Sequence, residues 1–343
     1  MVDIVRTVTG DVDPGWLGRT LAHEHVISDL TFRWQPSDDP RFAGPVRLAN
    51  LQHVRRAQWA SRDNLRLGDA RLATREVAAF GRAGGSTLVE LSNGTMGRDV
   101  RALAAISRAT GVLVVAGTGN YVAGAIPEAV STQEPAAIAE RIVGDLVTGA
   151  DGTTIRCGVI GEVAAGSFPM EPVERRSLQA AAIASSRTGA AIVAHPAPGT
   201  ASASEVLDVL LDAGADPGRV CIAHIDERLR DDVAAVRELA ARGCAIGYDT
   251  FGREAYYQPR DRQHPTDTQR IEILLRLLDA GLEDRIVLSQ DVCMRIDLGA
   301  FGGPGYDHIL VTIVPRLRAS GVPEATIDAL LIGNPAHLLA MRA

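Results

Sequence analysis

Eight short apolar segments, separated by longer amphipathic ones, are the feature that most restricts the folds open to this chain of 343 residues. Each is rich in Val, Ile, Ala or Leu and is often introduced by Gly or Asp, as is typical of strands that are buried on both faces. These predicted strands span residues 18–25, 86–92, 111–119, 156–163, 189–195, 219–226, 243–249 and 284–291.

The segments between the apolar runs have the spacing of amphipathic helices, and several end in Gly, the usual residue just past a helix C-terminus. Predicted helices include 70–84, 98–111, 173–189, 231–243 and 267–281. Eight strands alternating with helices predict an α/β fold, a (β/α)8 TIM barrel, formed by one domain over residues 1–343.

An open, doubly wound parallel sheet is the structural alternative to the barrel. The one glycine-rich turn, "GTGNYV" at 117–122, has Val122 where a dinucleotide-binding turn needs its third glycine. This departure disfavours both the open sheet and a nicotinamide-dependent dehydrogenase.

Metal-binding side chains are concentrated at the ends of the predicted strands, where a TIM barrel places its active site. Four of the eight histidines in the chain stand there together with two carboxylates. His23 and His25 are two residues apart, so on an extended strand both imidazoles point to one face. The sequence therefore predicts a metal site with six ligands: His23, His25, Glu162, His195, His224 and Asp291.

Six ligands suit two divalent ions that share a carboxylate, since one catalytic zinc needs only about three protein ligands. In the usual arrangement His23, His25 and Asp291 hold the buried ion, His195 and His224 hold the exposed ion, and Glu162 bridges them. A hydroxide between the ions would attack a small carbonyl or phosphoryl substrate. Imidazole and carboxylate ligands suit Zn, with Mn, Fe or Co as alternatives.

The composition of the chain argues against nucleic acid or a membrane as its partner. The net charge is −7 and no Lys/Arg cluster is interleaved with aromatic residues, so nucleic-acid binding is not expected. The uncharged run at 109–127 is broken by glycines, so no membrane association is expected either. The first residues lack the apolar core of a signal peptide, and the four cysteines show no Cys-x-x-Cys spacing. A cytoplasmic location with free thiols is therefore expected.

Motifs along nearly the whole chain resemble those of the phosphotriesterase family of the amidohydrolase superfamily. They are "GRTLAHEHV", "GRDVRALAAISRATGVLVVAGTGNYV", "IRCGVIGEV", "RVCIAHIDE", "LSQDVCMR", "GGPGYDHIL" and "IGNPAHLL". The stretches "GADGTTIRCGVIGEV" and "YDTFGREAYY" are most similar to the phosphotriesterase-related and phosphotriesterase-homology branch. The resemblance implies a binuclear metallohydrolase with the ligands given above, and a homodimer as a possible assembly.

Two departures from the wider family narrow the expected activity. Phosphotriesterases and their lactonase relatives carry a bridging lysine at the end of strand four, where this chain has Glu162, as the resembled branch also does. The lactonases carry an arginine after strand seven, where this chain has Thr250. The first departure makes weak or promiscuous phosphotriester hydrolysis the expectation, and the second disfavours a quorum-sensing lactonase. The favoured substrate is a small amide, ester or lactone.

The resemblance also implies catalytic roles. Asp291 would be both ligand and proton acceptor and would pass its proton through Asp226 or Glu227, although a solvated loop or a helix N-cap would equally explain these two residues. Tyr121 resembles the lactonase tyrosine that polarises a substrate carbonyl; the alternative is a half-buried loop aromatic.

Two further interpretations of the sequence stay open, one for a pair of arginines and one for the function of the chain. Arg253 and Arg295 could bind a substrate anion, but surface solvation is the favoured interpretation for each. The alternative function is a catalytically silent ligand-binding barrel that retains its metal site.

Overall fold

Eight parallel strands form the central sheet of the computed structural model, which describes residues 2–342 with the side chain of residue 260 excepted. Strands that follow one another along the chain pair side by side, as in the register Leu88↔Val114. The barrel strands, numbered one to eight in chain order, are Thr20–Glu24, Thr87–Glu90, Leu113–Thr118, Val159–Ala164, Ile192–His195, Val220–Ile222, Ala245–Tyr248 and Ile286–Leu288.

The first and last strands meet just beyond their C-terminal ends. The Asp291 amide donates to the His23 carbonyl, and the His25 amide donates to the Val292 carbonyl. The nitrogen–oxygen distance is 3.1 Å in both hydrogen bonds. These bonds join the two edges of the sheet, and the predicted (β/α)8 barrel is confirmed.

One long helix follows each strand. The helices are Ala70–Arg82, Val100–Thr110, Pro135–Val147, Pro172–Thr188, Thr200–Asp212, Val233–Ala241 and Asp267–Asp279, and after strand eight Val314–Ala319, which continues a π-helical turn at Ile309–Ile313. Side-chain caps fix several starts: Asp69 and Asp99 each accept from two backbone amides of the first turn. Gly111 and Gly189 end two of the predicted helices in the left-handed conformation.

Alternation of side chains along each strand divides the core into two layers. Val89, Val115 and Val193 belong to a cluster that also includes residues near both chain ends. Their neighbours Leu88, Val114 and Ile192 pack in the layer formed with the helices. The strands are thus apolar on both faces because both faces are buried.

Shorter elements close the two ends of the barrel. Strands Asp3–Thr7, Gly10–Val12 and Met341–Arg342 form a small antiparallel sheet. Hairpins Ser28–Asp29 with Arg66–Leu67 and Tyr256–Tyr257 with Arg262–Gln263 lie in the loops after strands one and seven. Besides several 3-10 turns, the described residues form the short helices Leu51–Arg56, Glu128–Ser131, Ile225–Arg228, Glu324–Asp328 and Asn334–Leu339 and the π-helical turn Ala329–Gly333.

Among the residues that the structure describes, every helix is too short or too polar to traverse a lipid bilayer.

Candidate metal centre

The structure brings all six predicted ligands together at the C-terminal ends of five strands, and each of them is buried. Strand one supplies two of them, and strands four, five, six and eight, or the residues that follow them, supply one each. The six are His23, His25, Glu162, His195, His224 and Asp291.

Local irregularities of the backbone determine the direction in which several of these side chains point. The pairing register shifts between Leu21 and Glu24 in strand one, and between Ile160 and Val163 in strand four, beside His23 and Glu162. Such bulges redirect side chains next to functional sites. His224 and Asp291 have φ angles of 60° and 51°, which non-glycine residues seldom adopt.

Glu162 lies at the middle of the cluster. Its Oε1 is 2.6 Å from His195 Nδ1, 2.9 Å from His224 Nε2 and 3.6 Å from His23 Nε2. Its Oε2 is 3.7 Å from His25 Nε2. One carboxylate therefore belongs to two candidate ligand groups, His23–His25–Glu162 and Glu162–His195–His224.

The donor set fits divalent metal ions. His23 Nε2 is buried and has no hydrogen-bond partner among the described residues, although it points into a cluster of imidazoles and carboxylates. A buried ring nitrogen left without a partner is costly, and a cation among these donors would satisfy it. Asp291 Oδ1 lies 3.3 Å from His25 Nε2 and completes the first group.

Asp249 is a further residue of the candidate centre, and it is absent from the six predicted ligands. It follows strand seven directly, and its two carboxylate oxygens lie 2.9 Å from His23 Nδ1 and from His224 Nδ1. It thereby fixes both rings so that their Nε2 atoms face Glu162, as outer carboxylates do in metal sites. The predicted strand 243–249 ends in this aspartate, so the rule that found the other strand-end ligands would also have found Asp249.

The charges of the cluster oppose the effect of burial. Burial alone would lower the pKa of His23 and His224, but the carboxylates of Asp249 and Glu162 outweigh it and raise both values. Burial would raise the pKa of Glu162, yet the surrounding histidines, His195 first, hold it well below its usual range. For His195 burial prevails and lowers its pKa to about 4. The carboxylates are therefore held as anions, the form that binds cations.

The expectation that Arg253 is a solvated surface residue is wrong. Its side chain is only 14% exposed, and its Nη1 lies 2.9 Å from Asp291 Oδ2. Burial would raise the pKa of Asp291, but Arg253 and the neighbouring histidines lower it. Arg295 instead pairs with Asp63 at 3.3 Å and does not line the cavity over the cluster.

Glu24, between the two histidines of strand one, supports the centre from the opposite face of the strand. It accepts hydrogen bonds from the Ser289 hydroxyl and the Gln290 and Val292 amides, and so holds the segment that carries Asp291. Burial raises the pKa of Glu24 to about 8. Its role is in positioning that segment.

Tyr121 stands beside the predicted ligands, on the wall of the cavity over the cluster. Its hydroxyl accepts from Arg33 Nη2 at 2.9 Å and lies 3.5 Å from His195 Nδ1. Burial raises its pKa, so the phenol stays protonated at neutral pH.

The two acidic residues that follow His224 along the chain have different surroundings. Asp226 is fully occupied: it accepts from Arg270 Nε at 2.8 Å, from the Thr250 hydroxyl at 2.6 Å and from two backbone amides. It does not line the cavity, whereas Glu227 does. The position of Asp226 therefore does not support a proton route through it, because its carboxylate is buried against Arg270 and away from the cavity wall.

A cavity opens from the cluster toward the loops that follow the strands. Glu227 on its wall lies 2.8 Å from Arg262 and 3.5 Å from His264 Nδ1. Besides ligand residues, the wall includes Leu30, Arg33, Gln58, Trp59, Met96, Tyr121, Glu227, Arg228, Arg253, Tyr257, Arg262, His264, Cys293 and Met294.

A TIM barrel with histidines and carboxylates gathered at its strand ends defines the class: a barrel enzyme with a centre suited to divalent metals. The model of the phosphotriesterase family matches residues 3–339. The chain belongs to this family of hydrolytic enzymes, and the predicted resemblance is confirmed.

Similar proteins agree with this assignment. A phosphotriesterase-related protein of Nematostella vectensis is 38% identical over 341 residues, which are 97% of each chain. An N-acetyltaurine hydrolase of Bos taurus is 35% identical over 344 residues, which are 98% of each chain. A resiniferatoxin-binding protein of Rhodobacter sphaeroides has a solved structure with a TM-score of 0.93 and 33% identity, covering 98% of this chain and 94% of that one.

Proposed function

We propose that the chain is a two-metal hydrolase that acts on small amides. The observation that carries the proposal is the position of Glu162, whose one carboxylate belongs to both candidate ligand groups. N-acetyltaurine hydrolases are among the similar proteins and support an amide substrate, with esters and lactones as the next candidates.

Two ions would occupy two positions among the candidate ligands. His23, His25 and Asp291 would hold one ion, His195 and His224 the other, with Glu162 common to both. Zn is the favoured metal for these donors, with Mn, Fe and Co as alternatives. Two such ions, when bound, would polarise the amide carbonyl and lower the pKa of a water toward neutrality.

Tyr121 would orient the substrate carbonyl. Because its oxygen accepts from Arg33, its own hydrogen remains available for donation to a substrate oxygen. Such a donor is most effective where charge develops on the oxygen in the transition state.

Asp291 would take the proton released when water adds to the carbonyl carbon. Arg253 holds Asp291 Oδ2, so Oδ1 is the oxygen turned toward the ligand cluster. The carbon–nitrogen bond then breaks and the proton passes to the leaving nitrogen, which gives a carboxylic acid and an amine. Glu227 is the carboxylate on the cavity wall that could assist this transfer.

Elemental analysis of the purified wild-type chain and of the Glu162→Ala variant tests the proposal. We expect about two ions per wild-type chain, fewer in the variant, and hydrolysis of a small N-acyl amide that depends on metal. The exposed Glu272→Ala variant is the matched control and should keep both the metal and the activity.

Other results would contradict the proposal. One ion per chain that survives the Glu162 change would remove the bridge. Stable metal content without hydrolysis of amide, ester, lactone or phosphotriester substrates would favour the ligand-binding barrel instead.

A further inference from the structure

Arg33 differs from the other arginines of the cavity wall in its partners. Arg253 is paired with Asp291, and Arg262 and Arg228 are paired with Glu227 at 2.8 and 3.5 Å. Arg33 has no carboxylate ion-pair partner among the described residues, and its one described hydrogen bond is donated to Tyr121. A guanidinium in a cavity with several unused donors is a site for an anion.

Three aromatic rings hold this guanidinium in place. Its central carbon lies 5.1 Å from the ring centre of Tyr121, 5.3 Å from that of Trp59 and 5.6 Å from that of Phe32. Stacking on rings stabilises the cation and limits its rotation, so the planar fork is already oriented before a ligand arrives.

Arg33 lies close to the place where the proposed reaction would occur. The Tyr121 hydroxyl joins it to the metal centre, because that hydroxyl accepts from Arg33 and lies 3.5 Å from His195 Nδ1. A small substrate whose carbonyl contacts Tyr121 would therefore place a group a few atoms farther along within reach of Arg33.

We infer that Arg33 is the residue that selects substrates with an acid group, such as a carboxylate or a sulfonate, a few atoms from the scissile amide. The name of the similar proteins, N-acetyltaurine hydrolase, favours an acid group in the amine portion. The inference rests on the proposed amide hydrolysis. The remaining Arg33 donors bind two oxygens of the acid, while its bond to Tyr121 is kept.

Two probes that differ only in charge test the inference: N-acetyl-β-alanine and its neutral carboxamide, N-acetyl-β-alaninamide. Arg33→Met removes the guanidinium but keeps an apolar side chain against the rings. We expect it to raise the KM for the acid about 10- to 100-fold and to change that for the neutral probe by no more than about twofold, since a charged hydrogen bond is lost only with the acid. Metal content should be unchanged.

Arg62→Met is the matched control, because Arg62 also stacks on an aromatic ring, Trp34, at 5.6 Å in the same loop but does not line the cavity. It should leave both KM values as in the wild type. An equal effect of Arg33→Met on the two probes, or no preference of the wild type for the acid, would overturn the inference.

Calorimetric titration separates this inference from the proposed function. If neither probe is hydrolysed, both are titrated into wild type and Arg33→Met. Binding of the acid that is lost in the variant would then support Arg33 as the anion site while refuting amide hydrolysis. Hydrolysis without charge preference would leave the proposed function and overturn the role of Arg33.

Discussion

At the scale of single residues, Asp249 shows how one carboxylate can orient two of the candidate ligands. Its oxygens contact the Nδ1 atoms of His23 and His224, so these rings present Nε2 to the centre. We expect Asp249→Asn to weaken metal binding about 10- to 100-fold, because an amide cannot accept from both rings. Competition with a chelator measures the affinity. The exposed Asp279→Asn variant should bind as the wild type does, and equal affinities in the two variants would exclude the orienting role.

Tyr121 makes a second prediction about a single side chain. Removing its hydroxyl in Tyr121→Phe keeps the ring that stacks on Arg33 but deletes the donor to the substrate oxygen. Loss of such a donor lowers kcat about 100- to 1000-fold in comparable sites, so we expect a fall of at least about 10-fold with a smaller change in KM. Steady-state kinetics give both constants. A kcat within about twofold of wild type would mean that Tyr121 is a wall residue of the cavity only.

The residues that could be predicted from the sequence are those fixed by the barrel strands. Histidines and carboxylates at strand ends must converge, which is why His195 and Glu162 could be paired without a structure. Arg33 and Arg253 could not be placed, because they belong to irregular loops whose course has no periodicity to read. The sequence around Asp226 does not predict its ion pair with Arg270, because Arg270 comes from a later helix.

At the scale of elements, the predicted strands and helices agree with the structure within a few residues at each end. The strands are identifiable because both of their faces are buried, in the barrel and under the helices. The loops at 31–67 and 251–268 contain short strands and short helices that depend on contacts between the two loops. One such contact joins Trp59 and Tyr257, whose ring centres are 5.3 Å apart. Such contacts leave no local pattern in the sequence.

A buried ion pair joins the helix Asp267–Asp279 to the segment that follows strand six. Arg270 is 0% exposed and donates to Asp226, to Thr250 and to two backbone carbonyls. Arg270→Leu leaves the Asp226 charge buried without its partner, so we expect a loss of about 3–5 kcal/mol in the free energy of unfolding. Urea denaturation measures it.

A double variant and a surface control sharpen this test. Replacing both Asp226 and Arg270 by Leu should cost less than the sum of the single changes, because no unpaired charge remains. Arg318→Leu breaks an exposed pair with Glu324 and should change stability little. Strict additivity of the two buried changes would show that the pair does not act as a unit.

The same helix begins at Asp267, which gives a pH prediction. Burial would raise the pKa of Asp267, but its contacts with His308 and the Gly252 amide, 2.7 and 2.8 Å long, lower it. A carboxyl whose pKa is lower in the folded state stabilises the fold above its unfolded pKa of about 3.9, and this contribution is lost as the pH falls through the folded value. We expect the melting temperatures of wild type and Asp267→Asn to differ at pH 6 and to converge below about pH 4. A constant gap across this range would rule out the linkage.

At the scale of the whole molecule, the ligands join distant parts of the barrel. They come from strands one, four, five, six and eight, so ions bound among them would connect both edges of the sheet. The unfolded chain offers no such arrangement, and binding to the native state alone raises stability by about 4 kcal/mol at a free metal concentration 1,000 times the Kd. We therefore expect removal of metal by a chelator to lower the melting temperature by about 5–10 °C and re-addition to restore it.

Calorimetric scans of wild type and Glu162→Gln give the comparison: the melting temperature of the variant should change less on metal removal, because the variant lacks the charge common to both ligand groups. Equal melting temperatures with and without chelator, at confirmed metal loss, would mean that the barrel holds its five ligand-bearing strands together without ions.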